Sequence, residues 1–190
     1  MKIGKVIFWI LFVLAIGGVW WLVNNYTPSP VTEEENQEET VTDSWETYNN
    51  EKIGFEVKHP EQVEVITHAE NQVSLQLVGP TQSTGTEFYD GLSLGFRTVE
   101  KTAEQTLVDV ANAQLKDIVE VGAVEVEPVP SQIGGKDAIY YVSRTQGKFQ
   151  VYLVEKSDTE VLEVSIFVED PTDIGFKEIV EAMTNSLVIS

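Results

Sequence analysis

Few side chains in this chain are suited to chemistry. His59 and His68 are the only histidines, and there is no cysteine. Thiol nucleophiles and disulfides are therefore excluded. Zinc asks for about three or four ligands in tetrahedral array, which two scattered histidines do not supply. His59 stands just before Pro60, at the end of a strand pattern, while His68 falls in an expected turn between strands. Serines are present, but none sits in a G-x-S-x-G elbow, and there is no P-loop or G-x-G-x-x-G. Gly91-Leu-Ser-Leu-Gly95 reads as a strand whose glycines mark a bulge or close packing.

Carboxylates are abundant, at 31 against 12 basic residues. No pair stands out for glycoside cleavage, and no Asp-x-Asp calcium loop occurs. Glu169, Asp170 and Asp173 form either a loose cation site or the cap of the following helix, where acids complement the helix dipole. The loop from Gln82 to Asp90 is long for a hairpin connection and ends in Phe88-Tyr89. Those two aromatics are the candidate partner-binding contacts. No catalytic, cofactor-binding or metal-binding residue is assigned.

Alternating apolar positions predict the strands that must carry these residues. Trp45–Tyr48 opens the series, and Asn49–Lys52 has turn composition. Ile53, Phe55 and Val57 share one face of a strand that stops at Pro60. Val63–Thr67, Gln72–Val78 and Gly91–Val99 follow, the last with Leu92, Leu94 and Phe96 on one side. Thr102 and Gln105 match a capping box for a helix whose stripe is Leu107, Val108, Ala111, Leu115 and Ile118, ending before Gly122. From Ala123 the chain reads as an antiparallel run. It turns at Gly134-Gly135, Gln146-Gly147 and Asp158-Thr159, with Leu162, Val164, Ile166 and Val168 on one face of the last strand. Phe176, Ile179, Val180, Met183 and Leu187 give a closing amphipathic helix.

Ahead of this domain lies Val6–Val23, eighteen residues with no charged or polar side chain. As a helix at about 1.5 Å per residue it spans roughly 27 Å, close to the thickness of a bilayer's hydrocarbon core. Trp9 lies near one end and Trp20, Trp21 and Tyr26 near the other, where amphipathic rings favour the headgroups. A cleaved signal peptide is the competing reading, but its apolar core is shorter and ends in small residues, whereas Trp20-Trp21-Leu22-Val23 is bulky. Lys2 and Lys5 precede the run and no Lys or Arg follows before Lys52. The expected topology is a cytoplasmic tail at 1–5, a transmembrane anchor at 6–23, and everything after it outside the cell membrane. With no cysteine, lipid acylation at a lipobox is excluded.

Residues 24–44 hold Pro28, Pro30, six acids and no base. Low hydrophobicity with like charge predicts a disordered acidic tether, with an end-to-end distance of roughly 25 Å. Beyond the anchor, 10 basic residues face all 31 acids. Such a balance disfavours nucleic acid and anionic headgroups and favours solubility beside a negative envelope.

Two stretches resemble a known family. Tyr48-Asn-Asn-Glu-Lys-Ile-Gly54-Phe55-Glu-Val-Lys-His-Pro60 is similar to the Y-x-N-x-x-x-G-F-x-x-x-x-P opening of PsbP-like domains. Ile133-Gly134-Gly135-Lys136-Asp-Ala138-Ile-Tyr140-Tyr141 is similar to their Gly-Lys-x-Ala-Tyr hairpin. The resemblance covers 45–190. It implies an α+β fold, an antiparallel β-sheet flanked by helices in an α/β/α sandwich, as in the photosystem II extrinsic P subunit and the Ran-binding Mog protein. His59 stands where the family commonly has an aromatic residue. The tryptophan that follows the family's proline is absent here, with Val63 in that region. No metal ligand or partner contact carries over.

The functional expectation is a non-catalytic protein-binding or accessory module at the cell envelope. Its partners would be the bilayer through 6–23 and an envelope protein, with no nucleic acid and no cofactor. An envelope hydrolase using acidic residues and a cation- or small-ligand sensor are the alternatives.

Overall fold

The computed structural model describes residues 44–190. The tail, the apolar run and nearly all of the tether lie outside the described residues. Within the described residues no helix is long and apolar enough to cross a membrane.

Among the described residues ten strands and two helices follow in order. They are β1 (Glu46–Asn50), β2 (Phe55–His59), β3 (Glu64–Ala69), β4 (Gln72–Val78), β5 (Gly91–Glu100), α1 (Leu107–Val119), β6 (Ala123–Ile133), β7 (Lys136–Arg144), β8 (Lys148–Ser157), β9 (Glu160–Glu169), α2 (Phe176–Asn185) and β10 (Val188–Ile189). The large sheet runs β3-β4-β5-β9-β8-β7-β6, and β1-β2-β10 forms a small second sheet. Every pairing is antiparallel. Turn chemistry explains the hairpins. Gly134 and Gly135 both have positive φ, 56° and 75°, the backbone that a tight β6–β7 turn matched to strand twist requires.

Period-two side chains divide the large sheet into two faces. On one, Leu92, Leu94 and Phe96 of β5 meet Leu162, Val164 and Ile166 of β9, with Phe176, Val180 and Met183 of α2 above them. Phe55 from the small sheet stacks on Phe96, ring centroids 3.6 Å apart. On the other face Val110, Ala111 and Leu115 of α1 cover Ile139, Tyr141, Val151 and Leu153. The result is helix, sheet and helix in layers. Each fully buried Leu or Phe contributes about 1.5–3 kcal/mol.

Several boundaries differ from the sequence reading, for local reasons. Helix α1 begins at Leu107, not near Thr102, because a second box wins. The Thr106 hydroxyl accepts from Asp109 N while the Asp109 carboxylate accepts from Thr106 N. The Thr102–Gln105 pair still forms, with Thr102 N donating to Gln105 Oε1 at 2.8 Å, but only as a turn ahead of the helix. Val110 is buried in place of Val108, which is exposed. His68 lies inside β3, at a bulge, not in a turn. Strand β1 runs to Asn50, so the turn shifts to Glu51–Gly54. The two-residue β10 pairs with β2.

Two polar devices set the helices. Buried Lys101 donates to the Asp158 carbonyl at 2.8 Å and pairs with Glu155 at 3.0 Å, fixing the entry to α1 on the β8–β9 hairpin. Asp170 accepts from the N–H groups of Ile174, Gly175 and Phe176 at 2.9–3.0 Å. Those bonds hold its carboxyl below the usual carboxylate range. Asp170 therefore serves as a cap for α2. Among the described residues no group of three His, Asp or Glu is placed to hold a metal.

Candidate functional site

Helix α1 is too narrow to cover its face of the sheet. It packs over β6, β7 and β8, reaches Val161 of β9 and Val99 of β5 at one end, and leaves the rest of that face of β4, β5 and β9 without a helix above it. Strand register sorts the side chains on this face into three parallel rows. Gln72, Arg97 and Glu163 pair across β4, β5 and β9. Ser74, Gly95 and Ser165 form the next row, continued by Val151 and Tyr141. Gln76, Ser93, Phe167 and Phe149 form the third.

The middle row makes the depression. On β4, β5 and β9 its residues are Ser74, Gly95 and Ser165, all small, and a methyl at Gly95 would lie 2.5 Å from Ser165 Oγ. A groove of about 510 Å3 results, bounded by Gln114 and Asp117 of α1 on one side and by His68, Gln72 and Gln76 on the other. That volume lies within the range of about 300–1,000 Å3 typical of ligand sites. A second hollow of about 270 Å3 shares Gln76, Ser93 and Phe149 with it and is walled by Phe88 and Phe167. The two hollows adjoin at these shared residues, the first mainly polar and the second mainly aromatic.

The polar end is cross-braced. Arg97 Nη2 donates to Glu163 Oε2 at 2.7 Å, and Gln114 Nε2 donates to the same oxygen at 2.7 Å. Tyr141 completes the chain, its hydroxyl donating to Gln114 Oε1 at 2.6 Å. Burial, then the Glu163 charge, pushes the Tyr141 phenol well above its usual range. Desolvation works against the Arg97 charge, but the bond and attraction to Glu163 outweigh it and raise its pKa further. On the opposite wall, Ser74 Oγ lies 2.8 Å from His68 Nε2 and 3.1 Å from Gln76 Nε2.

The aromatic end holds the first of the two aromatics singled out from the sequence. Phe88 packs on Phe167 with centroids 5.3 Å apart, and Phe149 does so at 5.1 Å. Glycine makes room twice: a methyl at Gly91 would sit 2.7 Å from the Phe88 ring, and one at Gly147 would sit 2.2 Å from Phe167. Tyr89 is 40% exposed and faces its own loop. Its hydroxyl accepts from Ser83 N at 3.1 Å and donates to the Thr81 carbonyl. Gln82 braces the loop further, accepting from Tyr89 N at 2.8 Å and donating to Glu87 O at 3.0 Å.

Of the two histidines, His59 is buried with Nδ1 donating to the Pro60 carbonyl at 2.9 Å, a structural placement. His68 reaches the groove wall. The sequence reading missed Arg97, Gln114, Tyr141 and Glu163. One local clue existed: Glu163 interrupts the apolar run Val161-Leu-Glu-Val-Ser-Ile166, where an acid needs a partner.

No protein-family model matches the sequence, and no curated protein matches it. Solved structures do. The crystal structure of LpqN, involved in cell envelope biogenesis of Mycobacterium tuberculosis, matches with a TM-score of 0.51 at 9% identity, over 77% of this chain and 90% of that one. The solution structure of the cyanobacterial PsbP, CyanoP, from Synechocystis matches with a TM-score of 0.51 at 11% identity, over 77% and 92%. The Saccharomyces cerevisiae Ran-binding protein Mog1p aligns over 76% and 95% at 13% identity, with a TM-score of 0.45. The first two likenesses show the fold: the described domain has a PsbP-like fold.

Proposed function

We propose that this chain is a single-pass membrane protein presenting a non-catalytic binding domain on the outer side of the cell envelope. In this reading 6–23 cross the bilayer with the N-terminus inside, 24–44 act as a leash, and the groove beside α1 receives an envelope component. The domain serves as an accessory module to an envelope protein, with Phe88 at the aromatic end of the contact surface.

The observation that carries the reading is the half-covered sheet face. A domain that needed only stability would close it with a wider layer or large side chains, since uncovered sheet forgoes burial. Here the middle row is Ser74, Gly95 and Ser165 instead. A binding role is favoured over a hydrolytic one by the state of the groove's buried acid. Glu163 Oε2 is already taken up by Arg97 and Gln114, whereas a catalytic carboxylate must come within hydrogen-bond reach of the substrate. The PsbP-like fold fits an accessory or binding domain, though fold by itself does not carry function.

A photo-crosslinking residue placed at Gln76 in native membranes should trap an adduct, while one at Lys58, on the small sheet, should not. Equal labelling at both positions, or none at Gln76, would remove the groove from the proposal. Protease added to intact cells should cut within 24–44 and release the domain. Full protection until the membrane is broken would overturn the topology.

A further inference from the structure

We infer that the groove beside α1 takes a neutral, hydroxyl-rich ligand, a short glycan segment lying with one sugar ring on Phe149. This rests on the groove being the binding site, and it names the class of ligand.

Charge is the first argument. Residues 44–190 carry 25 acids against 10 basic residues, so the domain repels anions from a distance. Inside the groove the balance changes. Arg97 is neutralised by Glu163 at 2.7 Å, and the other carboxylate on its walls is Asp117. The charge of Arg97 is thus offset, which weakens its pull on a phosphate or carboxylate. A cation would need clustered acids, and among the described residues no three are placed for one. The groove is a nearly neutral strip in a strongly acidic surface.

Hydrogen-bonding capacity is the second. Gln72 offers both donors and acceptors, Gln76 keeps its amide oxygen and one amide hydrogen beside its bond to Ser74, and Gln114 keeps one amide hydrogen and one lone pair beside its bonds to Glu163 and Tyr141. The hydroxyls of Ser74, Ser93 and Ser165 line the floor between them. Sugar hydroxyls both donate and accept, so each finds a partner on such walls without any charge. The apolar C–H face of a pyranose ring suits an aromatic surface, and half-buried Phe149 provides one, bordering both hollows.

An extended peptide fits less well. Peptides held beside sheets usually gain affinity by pairing with a free strand edge. The floor strands β4, β5, β9 and β8 are already paired with one another along the groove, so no backbone edge is on offer there.

Saturation-transfer NMR tests this on the full-length chain in a zwitterionic detergent, chosen so that no sugar headgroup competes. The probes are cellotetraose, chitotetraose and maltotetraose, with tetragalacturonate as the charged counterpart and a Gly-Ser-Asn peptide of similar length. At least one neutral sugar should bind with Kd of about 1 mM or below, the scale for a small ligand held by a few contacts. Tetragalacturonate and the peptide should bind more weakly. Phe149→Ala should weaken the sugar roughly fivefold to tenfold. Gln76→Ala, a change at the half-buried groove wall outside the apolar core, should weaken it by a factor of about three. Lys58→Ala should change nothing. If no neutral sugar binds, the glycan inference falls while a Gln76 crosslink would still uphold the groove as a binding site. Preferential binding of the peptide or of tetragalacturonate overturns it as well. So does sugar binding that both groove variants leave unaltered.

Discussion

Arg97 on β5 and Glu163 on β9 are directly opposed in register, and their 2.7 Å contact closes one end of the groove. Glu163 is nearly buried, its side chain 10% exposed, while Arg97 is 45% exposed. Gln114 from α1 shares the same carboxylate oxygen, so one acid ties helix to sheet. Glu163→Leu strands two donors, one of which can return to water, and should cost about 1–3 kcal/mol. Adding Arg97→Met should recover part of that loss. A double-mutant cycle by urea denaturation reads the coupling. Strictly additive losses would mean that the pair is not coupled in the fold.

Gly91 makes the Phe88 position possible. Its φ is +141°, and a methyl there would lie 2.3 Å from the Leu77 carbonyl and 2.7 Å from the Phe88 ring. Gly91→Ala should therefore destabilise by about 2–4 kcal/mol, combining backbone strain with overpacking. Gly85 is the internal comparison. Its φ is +79° and nothing lies within 4 Å of the added methyl, so Gly85→Ala should cost only about 1 kcal/mol. Equal losses in thermal melts of the two variants would show that the Phe88 contact is not what limits position 91.

Asp90 anchors the base of the same loop. Its Oδ2 accepts from Thr81 N and Thr81 Oγ1, both at 2.7 Å, while buried Oδ1 has no partner. Asn can keep both Thr81 bonds through its side-chain oxygen. Asp90→Asn should thus change stability by less than about 1 kcal/mol, whereas Asp90→Ala should lose about 2–3 kcal/mol by orphaning the Thr81 donors. Chemical denaturation compares them. An Asn variant as unstable as the Ala variant would mean that Oδ1 carries an essential contact.

Periodicity revealed one side of this sheet far better than the other. Leu92, Leu94 and Phe96 had to share a buried face because side-chain direction alternates along any strand. The stripe of α2 was legible for the same reason: Phe176, Val180 and Met183 recur at helical spacing and are buried. The opposite face of β5 carries Ser93, Gly95 and Arg97, which by composition reads as solvent-facing. Nothing local shows that α1 shades part of it, or that Arg97 meets a residue 66 positions later. Such pairing depends on register across strands, and register is a property of the assembled sheet. The start of α1 failed for a different reason. Two capping boxes stand four residues apart, and only tertiary anchoring, through Lys101 and the burial of Val110, selects between them. Strand β10 is two residues long, below what any periodic pattern can mark.

Tyr141 gives the groove a signature in alkaline solution. Its ring is buried, its hydroxyl is bonded to Gln114, and the Glu163 carboxylate lies on the same network. Ionising it would place a second negative charge in a desolvated site, so its pKa in the fold lies well above the ordinary 10.0. In the unfolded chain it ionises normally. The raised value means that its neutral form favours folding. This contribution is fully present below about pH 10 and is lost as pH climbs beyond it, because only the unfolded chain then releases the proton. The stability gap between the native protein and Tyr141→Phe should therefore shrink above pH 10, by up to about 1.4 kcal/mol per pH unit. Ultraviolet titration of tyrosinate supplies the second readout. Below the alkaline unfolding transition, native protein and Tyr141→Phe should ionise the same number of tyrosines. A native protein that titrates one more tyrosine than the variant near pH 10, while still folded, would show that Tyr141 is open to solvent and that the bonded chain from Arg97 to Tyr141 does not persist in solution.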